Sequence, residues 1–207
     1  MESSVAAGRC TRMQLSVITL GHVHAEDITP LTPHFTRIEQ LVLDIKPRDP
    51  LSKHRAELNR AIDAASNDWI LVLRERETVD DALAGEIIAA INAANAWGFR
   101  IRTLPIYAGK PLRLPLDEGE IRLFHRRHHL RFAEDLTIQG TVVRMQNAFR
   151  AITFESAAAH RDYLARTAIP HSSVRRALLF LRDAIATRTL DANTLRYIWT
   201  EAGFDRG

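Results

Sequence analysis

The chain has 207 residues, enough for one compact domain of ordinary size or one domain with a helical extension. Its 46% hydrophobic and 26% charged residues are globular proportions, which excludes a disordered or fibrous architecture. A formal net charge of +3 is too small to demand a nucleic-acid partner, and no run approaches the roughly 18 apolar residues of a membrane span.

Met1 to Arg12 reads as a flexible polar leader without the apolar core of a signal peptide, and its lone Cys10 has no second cysteine to pair with. That usage is compatible with a reducing cytoplasm. Gln14 to Leu20 alternates, is β-branched and stops at Gly21, so it is the expected first strand. His22 to Pro33 holds two prolines and makes a short or broken helix. Ile38 to Ile45 is the second strand, with Asp44 near its end. Lys46 to Pro50 must be loop, after which Ser52 caps a helix from Lys53 to Ala65. Arg55 and Asn59 lie one helical turn apart on one face of it, either reaching a ligand at the sheet's edge or standing as solvated polar groups. Trp69 to Leu73 is short and uniformly apolar, as a strand covered on both faces would be. Arg74-Glu75-Arg76-Glu77 follows its carboxyl end, where open α/β sheets place their ligands.

Thr78 to Ala94 is a helix with Thr78 as its cap, Asp80 and Asp81 in its first turn and a stripe of Val79, Leu83, Ile87, Ile88 and Ile91. Strands are expected over Trp97 to Arg102, continued by Leu104 to Tyr107, then over Glu120 to Arg127, with a proline-rich loop from Gly109 to Pro115 between them. His125, His128 and His129 sit among arginines with no cysteine nearby, and adjacent histidines on a strand face opposite ways, so a basic rim or solvated turn is preferred to zinc. Thr141 to Phe154 is one or two strands. Three helices follow, Glu155 to Ala168, Val174 to Thr187 and Asp191 to Ala202, the last with Leu195, Ile198 and Trp199 on one side. The expected organisation is a leader over 1–12, an α/β domain over 13–155 and a helical extension over 156–207 packed on that domain. The alternative for the basic tail is an anionic membrane face or a second subunit.

Two motifs carry a resemblance. Ala65 to Leu73 reads A-x-x-D-W-I-L-x-L, and Ile121 to Arg127 reads I-R-L-F-x-R-R. In that order, over roughly Gln14 to Gly140, they resemble family 2 glycosyltransferases of the lipopolysaccharide-core type. The resemblance implies a nucleotide-diphospho-sugar transferase (GT-A) fold, with a mixed, mainly parallel sheet flanked by helices. It also implies a nucleoside diphosphate or nucleotide sugar as ligand, and a role in bacterial-type envelope glycan synthesis. In the family the strand runs into Leu-Asp-Ala-Asp-Glu, whose aspartates hold a divalent metal against the donor diphosphate. Those aspartates fall here on Arg74 and Arg76, and only the last glutamate is kept, as Glu77. A divalent metal is therefore not expected at this turn, and no other cofactor is implied. Either the arginines offer fixed cations to a diphosphate from one side of an extended turn, or each pairs with a carboxylate such as Asp44, Asp80 or Asp81. An aspartate near Asp44 contacts the uracil or ribose in the family; here Asp44 either does so or caps the following turn. Leu130 to Gly140 resembles the family's r-f-x-x-x-H-E-x-L segment, which puts Ala133 at the histidine and gives Glu134 the part of general base or acceptor holder. The expectation is a glycosyltransferase-like protein with lost or metal-independent transfer, the alternative being a binding or structural subunit that keeps the fold.

Overall fold

The computed structural model describes residues 13–45, 54–112, 119–128, 131–132, 136–137, 140–156, 158–160, 162, 181 and 191–201. The leader, the Lys46 to Pro50 loop, Ser52, His129, Glu134 and all but Leu181 of the expected Val174 to Thr187 helix lie outside these residues. In chain order the elements are β1 (Gln14–Leu20), a 3-10 helix (Ala25–Leu31), β2 (Arg37–Leu43), α1 (Arg55–Ala64), β3 (Trp69–Arg74), β4 (Glu77–Thr78) and α2 (Asp81–Ala93). There follow β5 (Gly98–Tyr107), β6 (Lys110–Pro111), β7 (Glu120–His125), a 3-10 turn (Arg126–His128), β8 (Arg131–Phe132), β9 (Leu136–Thr137), β10 (Val142–Phe154) and α3 (Ala192–Glu201).

The fold is mixed α/β. Its main sheet has the order β2-β1-β3-β7-β5-β10-β4, with β6 beside β5, while β8 and β9 form a separate hairpin. The first three strands are parallel neighbours, in the register Val17↔Gln40 and Val17↔Leu71. β7 runs antiparallel to both β3 and β5, and β5 and β10 pair in parallel. The uniform apolarity of Ile70 to Leu73 follows from this placement, because alternate residues serve two cores. Leu71 and Leu73 pack with Leu83 and Ile87 of α2 and with Ile28 and Leu31 of the 3-10 helix. Ile70 and Val72 pack with Leu58, Ala61 and Ile62 of α1 on the other face. Four residues with no exposed surface, each contributing about 1.5–3 kcal/mol on burial, fix β3 inside the sheet.

Local structure departs from the sequence expectation at the cap of α2 and on the buried face of α3, while the one or two strands expected over Thr141 to Phe154 are one. α2 is capped by Asp80, whose carboxylate accepts the Leu83 N–H at 2.9 Å, and not by Thr78. The reason is that Thr78 pairs with Arg150 in β4, so the chain turns helical only after Val79. Thr141 to Phe154 becomes one strand with a register shift between Arg144 and Ala148. There the Gln146 and Asn147 N–H groups donate to the Glu86 carboxylate of α2 at 2.7 and 2.9 Å, which satisfies the donors that the bulge removes from the ladder. In α3 the buried side is Thr194, Ile198 and Thr200, whereas Leu195 and Trp199 are exposed. Its contact combines hydrogen bonds and rings: Asn193 donates to the Tyr107 and Lys110 carbonyls, the Tyr107 hydroxyl donates to Thr200, and the Tyr197 ring stands edge-on to Tyr107 at 5.3 Å and stacks on His160. Among the described residues no helix is long and apolar enough to cross a membrane.

Candidate functional site at the carboxyl end of β3

Three loops leave the carboxyl ends of β1, β2 and β3 side by side. Gly21 follows β1 with φ +83 and donates its N–H to the Leu43 carbonyl at 2.8 Å. Glu75 follows β3 and donates its N–H to the Leu20 carbonyl at 2.8 Å. A Cβ on Gly21 would lie 2.9 Å from Glu75 Oε2 and 3.3 Å from the Ile45 carbonyl oxygen, so Gly21 is the residue that lets Glu75 close over the end of β1.

After Glu75 the chain reverses. Arg76 adopts φ +65, an uncommon conformation for a residue with a side chain, and its carbonyl accepts the Ile152 N–H at 3.1 Å. β4 then returns antiparallel to Arg150 and Ala151. This tight turn replaces the extended one the sequence suggests, because the left-handed residue breaks the alternation of side-chain directions. Glu77 is therefore turned into the protein. Its Oε2 accepts the Arg74 N–H at 2.8 Å and the Arg122 guanidinium, and its Oε1 accepts the Thr103 hydroxyl at 2.8 Å.

Arg122 reaches Glu77 because of a bulge. Along β7 the pairing steps from Phe99↔Leu123 to Arg100↔Ile121, so Arg122 is the extra residue, and Ile121 to Phe124 are all buried instead of alternating. A bulge re-aims the side chain it carries. The guanidinium donates to the Val72 carbonyl at 3.1 Å and to Glu120 at 3.0 Å, and lies 5.2 Å from the centre of the Phe149 ring. Arg74 in turn donates to both oxygens of Glu120, at 2.7 and 2.8 Å. The result is a chain of alternating charges, Arg74–Glu120–Arg122–Glu77, whose inner pair has side chains only 2% and 4% exposed.

Of the residues singled out in the sequence, Arg74 and Arg76 meet at this turn, with Arg76 exposed. Arg74 pairs with Glu120 and not with Asp44, Asp80 or Asp81, since β7 lies directly beside β3 whereas β2 is two strands away. Asp80 is held instead by Arg150 at 2.9 Å. Asp44 is exposed just past β2, Arg55 is exposed and Asn59 half-buried on α1, and Glu134 is outside the described residues. The basic turn at Arg126 and Arg127 sits at the opposite end of the sheet, where His125 pairs with Trp69 and both arginines face Asp68. Sequence reasoning missed Arg122, Glu120 and Thr103. The one available signal was an arginine inside an otherwise apolar strand, I-R-L-F.

Arginine stays protonated and donates only, so it holds anions and cannot ligate a metal. Among the described residues no group of three histidine, cysteine or acidic side chains is placed to hold a metal ion. No protein-family model and no curated protein matches the chain. Among solved structures the chain is similar to S. aureus TarS 1-349, at a TM-score of 0.39 and 11% identity, over 94% of this chain and 73% of that one.

Proposed function

We propose that this chain is a glycosyltransferase-like protein of the nucleotide-diphospho-sugar transferase type, in which the metal-dependent transfer step has been lost and the former donor-phosphate turn serves as a structural junction. The observation that carries this reading is the neutral cluster Arg74–Glu120–Arg122–Glu77 at the carboxyl end of β3. Sugar transfer leaves a nucleoside diphosphate, and a transferase must neutralise the charge that develops on it. Here two guanidinium groups are already balanced by two carboxylates. Drawing Arg74 away to a diphosphate would leave Glu120 facing the incoming anion. Arg122 is more firmly engaged, because leaving Glu77 unpaired in the interior is costly.

Arg76 supports a second reading, in which the turn binds a nucleoside diphosphate without metal and without turnover. It is exposed, as is Asp44 at the same end of the sheet. Calorimetry with UDP and other nucleoside diphosphates, with and without Mn²⁺, together with a donor-hydrolysis assay, separates these readings. The expected result is no turnover and no metal-dependent binding. Metal-independent binding lost in Arg76→Ala would favour the second reading. Mn²⁺-dependent donor turnover would overturn both.

A further inference from the structure

Where β5 and β10 begin, the residues that face away from α2 include three arginines. Phe99, Ile101 and Met145 belong to the core under α2, so alternation turns Arg100, Arg102 and Arg144 to the opposite face of the sheet. Arg100 and Arg144 are register partners on parallel neighbours, which sets their backbones about 4.8 Å apart. Arg102 follows on the same face, about 6.6 Å further along β5. Like charges side by side on neighbouring strands repel. Arg74, Arg122 and Arg150 of the same sheet each hold a carboxylate, but among the described residues no carboxylate pairs with Arg100, Arg102 or Arg144. The anchors of the first two are neutral: Arg100 donates through Nη1 to the Gly119 carbonyl at 3.0 Å, and Arg102 through Nη2 to the Gln146 carbonyl at 2.8 Å. Arg102 Nε is buried with no acceptor. A guanidinium carries five N–H donors, so most of those on the half-buried Arg100 and Arg102, and those of the exposed Arg144, are open to a ligand.

We propose that Arg100, Arg102 and Arg144 form a binding site for a phosphate group, taken as the free dianion or as a phosphate monoester on a larger ligand. Backbone carbonyls hold two of the cations in place while leaving their charge unbalanced, and guanidinium groups donate to phosphate oxygens in pairs. A tetrahedral phosphate offers acceptors on several sides, and its charge turns the repulsion between Arg100 and Arg144 into attraction. Beyond Arg102 the same face continues with the half-buried Leu104 and Ile106, and Ile152, the register partner of Ile106, is 42% exposed. An apolar group attached to the phosphate would rest there, so a lipid-borne phosphate and a soluble one share this recognition. The cluster at the β3 turn lies on the other face, with Ile101 and Thr103. Phosphate binding here is therefore independent of whether that turn holds a nucleotide.

The test is titration calorimetry of the full chain with inorganic phosphate in a phosphate-free buffer. A second arm is flotation with phosphatidylcholine vesicles, with and without phosphatidic acid, whose headgroup is a phosphate monoester. Binding should saturate and weaken as salt rises. Arg100→Gln and Arg144→Gln should each lower the affinity about tenfold or more, with circular dichroism to confirm folding. Saturable binding of inorganic phosphate assigns a soluble ligand, and binding of the phosphatidic acid vesicles alone a lipid-borne one. Binding of neither overturns the proposal, as does binding that the double variant Arg100→Gln, Arg144→Gln retains. Loss of binding in Arg76→Ala would place the phosphate at the β3 turn and overturn the site.

Discussion

The inner ion pair of the cluster makes the sharpest demand on stability. Replacing Arg122 by Met removes the donor to Glu77, Glu120 and the Val72 carbonyl, and leaves Glu77 with only the Arg74 N–H and the Thr103 hydroxyl. Breaking one side of a buried pair costs about 3–5 kcal/mol, because the remaining charge is stranded away from water. In a chain of this size each kcal/mol moves the melting temperature by about 2–4 °C, so a loss of roughly 6–20 °C is expected. Glu77→Gln should fall at the lower end of that range, since the amide still accepts hydrogen bonds and Glu120 still faces Arg122. The double variant Glu77→Gln, Arg122→Met should cost less than the sum of the singles, with a coupling of about 0.5–3 kcal/mol. Arg74→Ala is the internal control: its pair with Glu120 has side chains 31% and 48% exposed, and its loss should cost only about 0–1 kcal/mol. Urea unfolding followed by fluorescence of the buried Trp69 measures all four. If Arg122→Met costs no more than Arg74→Ala, the cluster does not hold the turn and the reasoning fails.

Gly21→Ala should destabilise by about 1–2 kcal/mol through its positive φ, and adding Glu75→Ala should recover only the part due to the 2.9 Å clash, as read by thermal melts of the single and double variants. Asp80→Ala should cost about 1 kcal/mol by uncapping α2, whereas Thr78→Ala, outside the helix, should not reproduce that loss. Burial raises the pKa of Glu39, but hydrogen bonds from Ser16 and Ser66 and the charge of Arg37 outweigh it, so the carboxyl sits below its ordinary 4.5. A depressed folded-state pKa stabilises above the unfolded value and loses that contribution as pH falls through the folded one. Unfolding free energy measured below about pH 4.5 should therefore fall less steeply in Glu39→Gln than in wild type.

The parallel half of the sheet was legible because its signal is local. Gln14 to Leu20 carries the alternation and β-branching of a strand and Trp69 to Leu73 the unbroken apolarity of one buried on both faces, and the structure makes them neighbours. The cap of α2 was misplaced by two residues because Thr78 and Asp80 are both good caps, and only the distant strand β10 decides between them. The partner of Arg74 was illegible for the same reason. Glu120 is 46 residues away, and what brings it alongside is the antiparallel docking of β7 on β3, which no periodicity announces. Arg122 was harder still, since period-two reading places it on the opposite face from Leu123, and a bulge of one residue cancels that rule.

The cluster also bears on what it would take to give the β3 turn an acidic site. Substituting Arg74→Asp alone would place a third carboxylate beside Glu120 and Glu77, leaving Arg122 as the only cation among them. Substituting Arg76→Asp changes an exposed residue, but Glu77 beside it remains tied to Arg122, Thr103 and the Arg74 N–H. A cation arriving at the turn would compete with Arg122 for Glu77, and Arg122 is held in place by the Val72 carbonyl, Glu120 and the Phe149 ring as well. Changes at 74 and 76 alone therefore do not free the glutamate. The bulge at Arg122 would have to be undone too, and its removal shifts the β5–β7 register that buries Ile121 and Leu123. The charge arrangement at the turn is thus tied to the packing of the sheet, which makes it a feature of the fold and not a set of independent surface charges.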